Sequence, residues 1–161
     1  MVFGSQSCSE EYLVKGRIPM KNCYLVSALI SLCMLNVHAS ALSAEEKAEK
    51  LAQKAAESWL ALVDAGKYSQ SWNEAASNFK QAVTSDQWEK SMKSYRVPLG
   101  KLESRMLKSS QYTQTMPGAP DGEYVILQYE TTFEKKKAAI ETVTPMKDKD
   151  GKWRVAGYFI K

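Results

Sequence analysis

The period of the apolar residues changes once along this chain, at Pro98-Leu99-Gly100, and that change limits what it can fold into. Before it, apolar residues recur every three or four positions, and after it they alternate. The first spacing puts one stripe of a helix against a core, and the second puts one face of a strand there. Neither layer can cover its own apolar face, so the two have to pack on each other. The expected architecture is α+β, with three helices on one face of a curved four-stranded antiparallel sheet.

Ser43 with Glu46 three residues on reads as a capping box. The helix it opens would carry Ala48, Leu51, Ala52, Ala55, Trp59, Leu62 and Val63 on one stripe and end at Gly66. A second, shorter helix would hold Tyr68, Trp72, Ala75, Ala76 and Phe79, with a break near Ser77 and Asn78. Thr84 or Ser85 would cap a third, in which Trp88, Met92 and Tyr95 face one side and which Pro98 and Gly100 close. The strands begin with KLESRMLKSSQYTQT, weakly alternating from Lys101, and the breaker PGAPDG follows. EYVILQYETTF then sets Val125, Leu127, Tyr129, Thr131 and Phe133 on one face. AAIETVTPM comes after Lys135, Lys136 and Lys137, and KDKDG turns the chain into KWRVAGYFIK. In that last strand Trp153, Val155 and Phe159 are expected on the inner face and Tyr158 and Ile160 on the other, with Gly157 relieving crowding.

From Met20 the chain reads MKNCYLVSALISLCMLNVHASALSA, the outline of a secretory signal peptide. Its apolar run, Tyr24 to Leu35, is shorter than the ~20 residues of a membrane span. Cleavage after Ala39, Ala41 or Ala44 is open, and Ala41 is preferred because Ala39 and Ala41 fill both key positions. Leu32 before Cys33 speaks against a lipoprotein anchor. Residues 1–19 fit no export signal; either Met20 is the start or the segment is a long extension that leaves export intact. The expected division is thus an extension (1–19), a signal peptide (20–41) and one α+β domain (42–161). The expected location is periplasmic or secreted, with membrane contact only through the transient signal peptide. The mature chain would lack Cys8, Cys23, Cys33 and His38, and with them thiol and imidazole chemistry. Loss of Lys15, Arg17, Lys21, Glu10 and Glu11 takes the formal charge from +4 to +3, which is no nucleic-acid footprint.

Four strings carry a resemblance: KYSQSWNEAASNFK, QWEKSMKSYRVPLGKLESR, PGAPDGEYVILQYETTF and ETVTPMKDKDGKWRVAGYFIK. They resemble the bacterial family catalogued as domain of unknown function 4019, over roughly Glu46 to the end. The order of elements is similar to the cone fold of nuclear transport factor 2 and ketosteroid isomerase. The resemblance implies a small exported or envelope protein with such a domain, and it supplies no catalytic residues. That fold class hosts isomerases, dehydratases and non-catalytic binding modules, so fold alone does not choose among them.

A cone of this kind tends to leave a pocket at its open end. Isomerase-like members use an acidic base there, with polar groups that polarise a carbonyl. The possible counterparts are Glu141, Glu130, Tyr129, Tyr112 and Tyr158. Glu141 is costly to bury without a partner, so it is either that base, an outward carboxylate, or half of an ion pair with Arg105 or Arg96. Arg96 and Arg105 are candidates for holding a carboxylate or phosphate at the cone mouth. Their structural roles would be a cap on the third helix for Arg96 and a cross-sheet pair for Arg105. Trp72 and Trp88 line a ligand pocket or fill the core, and Lys135 to Lys137 keep a hairpin end soluble. No cofactor and no metal are expected, since KDKDG lacks the calcium-binding loop length. Ser77-Asn78-Phe79-Lys80 has none of the companion motifs of a serine-lysine enzyme. Two functions follow from the sequence: a non-catalytic module for a small molecule or an envelope protein, or a small isomerase or hydratase using Glu141 and tyrosines. A homodimer through the sheet is compatible with both.

Overall fold

The computed structural model describes the backbone from Cys23 and the side chains from Ala44 onward. Residues 40–161 form one compact unit. The expected extension (1–19), the start at Met20, Cys8, and the side chains of Cys23, Cys33, His38, Ala39 and Ala41 lie outside the described residues.

Helix α1 spans Cys23–Asp64. No proline or glycine interrupts this segment, so the backbone is helical through Ser43 and Glu46, and the expected start there is corrected. Gly66, at φ 71°, takes the left-handed position that stops the helix. The buried stripe is Ala48, Ala52, Ala56, Trp59, Leu60 and Val63. It is rotated from the expected one, leaving Leu51 48% exposed and Ala55 and Leu62 half-buried.

The expected second helix is two, α2 (Tyr68–Asn73) and α3 (Ser77–Ala82), so the described residues hold four α-helices where three were expected. The break falls just ahead of Ser77 because the Ala76 N–H donates to the Val155 carbonyl of the sheet at 2.8 Å. That bond holds Ala76 in an extended conformation, at φ −61° and ψ 155°. Helix α4 (Ser85–Tyr95) opens at Thr84, whose hydroxyl accepts the Gln87 N–H while the Gln87 side chain accepts the Thr84 N–H. A 3₁₀ turn, Val97–Leu99, carries it into Gly100. Gly100 sits at φ 79°, and a Cβ there would lie 2.7 Å from Glu134 Oε2, so both conformation and space require glycine.

The sheet runs β1-β2-β3-β4, every pair antiparallel: β1 Leu102–Thr113, β2 Tyr124–Phe133, β3 Lys136–Lys147, β4 Trp153–Ile160. Val125, Leu127, Tyr129, Thr131 and Phe133 are buried together on the helix-covered face, as the alternation requires. In β4 the alternation breaks, because the register passes from Thr144↔Gly157 to Pro145↔Val155 and leaves Ala156 as an extra residue. This bulge turns Tyr158 inward beside Val155 and sends Phe159 outward, 62% exposed, the reverse of the expected placement. A Cβ on Gly157 would meet Thr144 at an ordinary 3.6 Å, so crowding is not its reason.

Aromatic side chains fill the space between the layers. Trp59 lies 5.5 Å from Trp88 and 5.4 Å from Tyr158, and Phe79 meets Trp88 edge-on at 5.3 Å. Trp59 Nε1 donates to the Ser71 carbonyl at 2.7 Å and Trp88 Nε1 to the Ser71 hydroxyl at 3.0 Å, so one buried serine satisfies both indoles.

Candidate functional site

Glu141 projects from β3 toward the helices, opposite Tyr129 on β2 and Ile160 on β4, and has no exposed surface. A carboxylate in that position costs several kcal/mol unless charge and hydrogen bonds replace its water. Both are supplied. Arg105 on β1 donates from Nε to Oε2 at 2.6 Å and from Nη2 to Oε1 at 3.2 Å. The Thr131 hydroxyl donates to Oε2 at 2.7 Å, and the Tyr158 hydroxyl donates to Oε1. Each oxygen of Glu141 therefore accepts two bonds.

The far edge of Arg105 faces the end of α1. Its Nη1 lies 2.7 Å from Asp64 Oδ2 and its Nη2 3.2 Å from Asp64 Oδ1. Arg96, the residue that closes α4, donates from Nη2 to Asp64 Oδ1 at 3.0 Å and from Nη1 to the Gly100 carbonyl at 2.8 Å. Its guanidinium carbon lies 4.2 Å from the centre of the Phe133 ring. Two cations and two anions thus form a neutral quartet that ties α1, α4, β1 and β3 together. Burial works against the charge of Arg105, but its bonds to Asp64 and Glu141 outweigh that and raise its pKa above the ordinary arginine value. Burial, then the charge and hydrogen bond of Glu141, push the Tyr158 hydroxyl well above the usual tyrosine range. Tyr129, beside them, is pushed up to about 12, by burial first and then by the charge of Glu57. Its hydroxyl has no hydrogen-bond partner among the described residues.

The structure therefore brings together four of the sequence candidates, Glu141, Arg105, Arg96 and Tyr158, with Tyr129 adjoining. Trp72 takes no part: it is half-buried against the core and donates its indole N–H to the Val83 carbonyl at 2.7 Å. Glu130 is exposed and paired with Lys108, and the Tyr112 N–H is taken by Glu49 of α1 at 3.1 Å. Sequence reasoning missed Asp64 and Thr131. Asp64 had a legible signal, because an acid in the last turn of a helix is unfavourable to the helix dipole and calls for a cation nearby.

A second charged cluster holds the β3–β4 turn. Asp148 Oδ2 accepts from the Ser77 N–H at 3.1 Å, the Ser77 hydroxyl at 2.9 Å and Arg154 Nη1 at 3.3 Å. Burial opposes its charge, yet the bonds from Lys149 and Ser77 and the charge of Arg154 keep its carboxyl below the usual carboxylate value. Ser77 is thereby committed to Asp148, and Lys80 donates to the Asn73 carbonyl at 3.0 Å, so the Ser77 to Lys80 segment forms no nucleophile and base.

No three His, Cys, Asp or Glu side chains converge as metal ligands among the described residues. No helix among them is long and apolar enough to cross a membrane. Comparison with characterised proteins and with solved structures finds no match. The model of one family, described as a protein of unknown function (DUF4019), matches residues 55–158, and the chain belongs to that family.

Proposed function

We propose that this chain is an exported, non-catalytic binding or interaction module. The observation that carries the proposal is the saturation of Glu141. The carboxylate best suited to act as a base accepts bonds from Arg105, Thr131 and Tyr158, so it has no oxygen left for a substrate proton. A ketosteroid-isomerase-like reaction would have to break a buried ion pair first. Supporting the wider proposal are the signal-peptide pattern from Met20, cleaved near Ala41 to leave residues 42–161 as the working domain, and helices packed on a four-stranded antiparallel sheet, the arrangement of the nuclear transport factor 2 cone. The partner is a small molecule or an envelope protein. Met106 and Phe159, 64% and 62% exposed on the outer sheet face, support a homodimer through that face as the carrier.

One preparation tests this. Protein recovered from the periplasm is expected to begin between Ser40 and Glu45 on N-terminal sequencing. Incubated with a β,γ-unsaturated ketone, it is expected to produce conjugated product, followed by ultraviolet absorbance, no faster than buffer does. Turnover that disappears in Glu141→Gln would establish the isomerase instead, and an uncleaved cytoplasmic product would refute export.

A further inference from the structure

The flank of α1 and the β3–β4 hairpin leave a groove between them. On α1 its floor is Leu51, Ala55 and Trp59, one residue per turn, a strip about 12 Å long at 1.5 Å per residue. Trp153 and Lys152 form the opposite wall. Two adjoining depressions of about 440 and 320 Å³ share Ala55, Ser58, Lys152 and Trp153, a size suited to a small organic molecule.

Three features of the groove are unsatisfied at once. Leu51, 48% exposed, is the most open part of the α1 strip and lies beside half-buried Trp153. The indoles of Trp59, Trp72 and Trp88 all donate hydrogen bonds, whereas that of Trp153 donates to nothing among the described residues. Lys54 and Lys152 flank the strip, and neither ammonium has an ion-pair partner among the described residues, while neighbouring Arg154 is held by Asp148 and Asp150. The one acid lining the groove, Glu74, lies at its other end.

We propose that this groove binds a small amphipathic carboxylate, its acyl chain along Leu51, Ala55 and Trp153 and its head between Lys54 and Lys152. Such a molecule covers the apolar strip, accepts a hydrogen bond from the Trp153 indole or from an ammonium, and offsets one of the two like charges while bridging both. A neutral alkane chain would leave the cations unmatched, and a polar anion would leave the strip bare. The assignment rests on the module reading and names its ligand class.

Sodium octanoate is the probe, titrated into the full chain by calorimetry and by tryptophan fluorescence, with octan-1-ol as the neutral control. Octanoate is expected to bind more tightly than octanol and to lose affinity as salt is raised. In the double variant Lys54→Glu with Lys152→Glu, octanoate affinity is expected to fall at least tenfold while octanol is unchanged. Both lysines are exposed, and Lys54→Gln with Lys152→Gln serves if the reversal disturbs folding, with a smaller loss expected. Absence of octanoate binding, equal loss for both probes, or no loss in either variant overturns the groove assignment. So does binding of phosphatidylglycerol vesicles in place of octanoate. None of these outcomes produces ketone turnover, so failure of the groove and failure of the module reading stay separable.

Discussion

Asp64 is the residue on which the buried charges depend. It closes α1, where the dipole disfavours an acid, and it is held there by two arginines that lie 32 and 41 residues further along the chain. Removing one member of a buried ion pair leaves its partner without water or countercharge, typically at a cost of about 3 to 5 kcal/mol. Asp64→Ala and Glu141→Gln are each expected to fall near the low end of that range in urea unfolding, because Arg105 keeps one of its two acids in either variant. Arg105→Leu combined with Glu141→Leu is expected to cost less than the two single changes added together, since the pair is removed whole. Strict additivity would mean that the two groups are not coupled in solution. The pairing of Arg105 with Glu141 was one of several readings the sequence left open, beside a pair with Arg96, an outward carboxylate and a catalytic base, because a carboxylate amid a strand's apolar positions needs a cation only if it is buried. Asp64 signalled that it needs a cation but not which one, because no local spacing connects the end of the first helix to the first strand.

At the scale of elements, two hydrogen-bonded ties decide where helices end and where the hairpin lies. The Val155 carbonyl draws Ala76 out of helical geometry, and Asp148 receives the start of α3. Asp148→Asn keeps the shape and removes the charge, and a loss of about 1 kcal/mol is expected, the usual worth of a side chain that caps a helix start. The measurable sign is faster amide hydrogen exchange across Ser77–Ala82 with α1 unaffected; uniform acceleration everywhere would mean that the tie is not local. Both ties cross between layers, which is why periodicity found the break in the second helix only approximately and counted one helix too few. The bulge at Ala156 explains the other misplacement. Alternation assigns faces by counting, and a single extra residue reverses every assignment beyond it, so Phe159 and Tyr158 exchanged places while Val155 did not. The long alternating run of β2 contains no such insertion within its inward positions and was read correctly throughout.

For the whole molecule, the tyrosines buried near the quartet set an alkaline limit. Tyr129 is raised to about 12 and Tyr158 higher still. In the unfolded chain a tyrosine ionises near pH 10. The folded state cannot follow, so the stability they contribute is complete below about pH 10 and is lost as pH rises through the folded values. Urea unfolding across that interval is expected to show stability falling, with a shallower fall in Tyr129→Phe and Tyr158→Phe. An unchanged slope in both variants would mean that other groups govern the limit.

The quartet also dictates an order of assembly. Asp64, Arg96 and Arg105 are all made before Glu141, and Tyr158 follows it. A nascent chain that has not yet produced β3 carries two arginines for one aspartate, a local excess of positive charge that resists burial between the layers. Closure of the buried charges therefore waits for β3, the strand that brings the second carboxylate to Arg105.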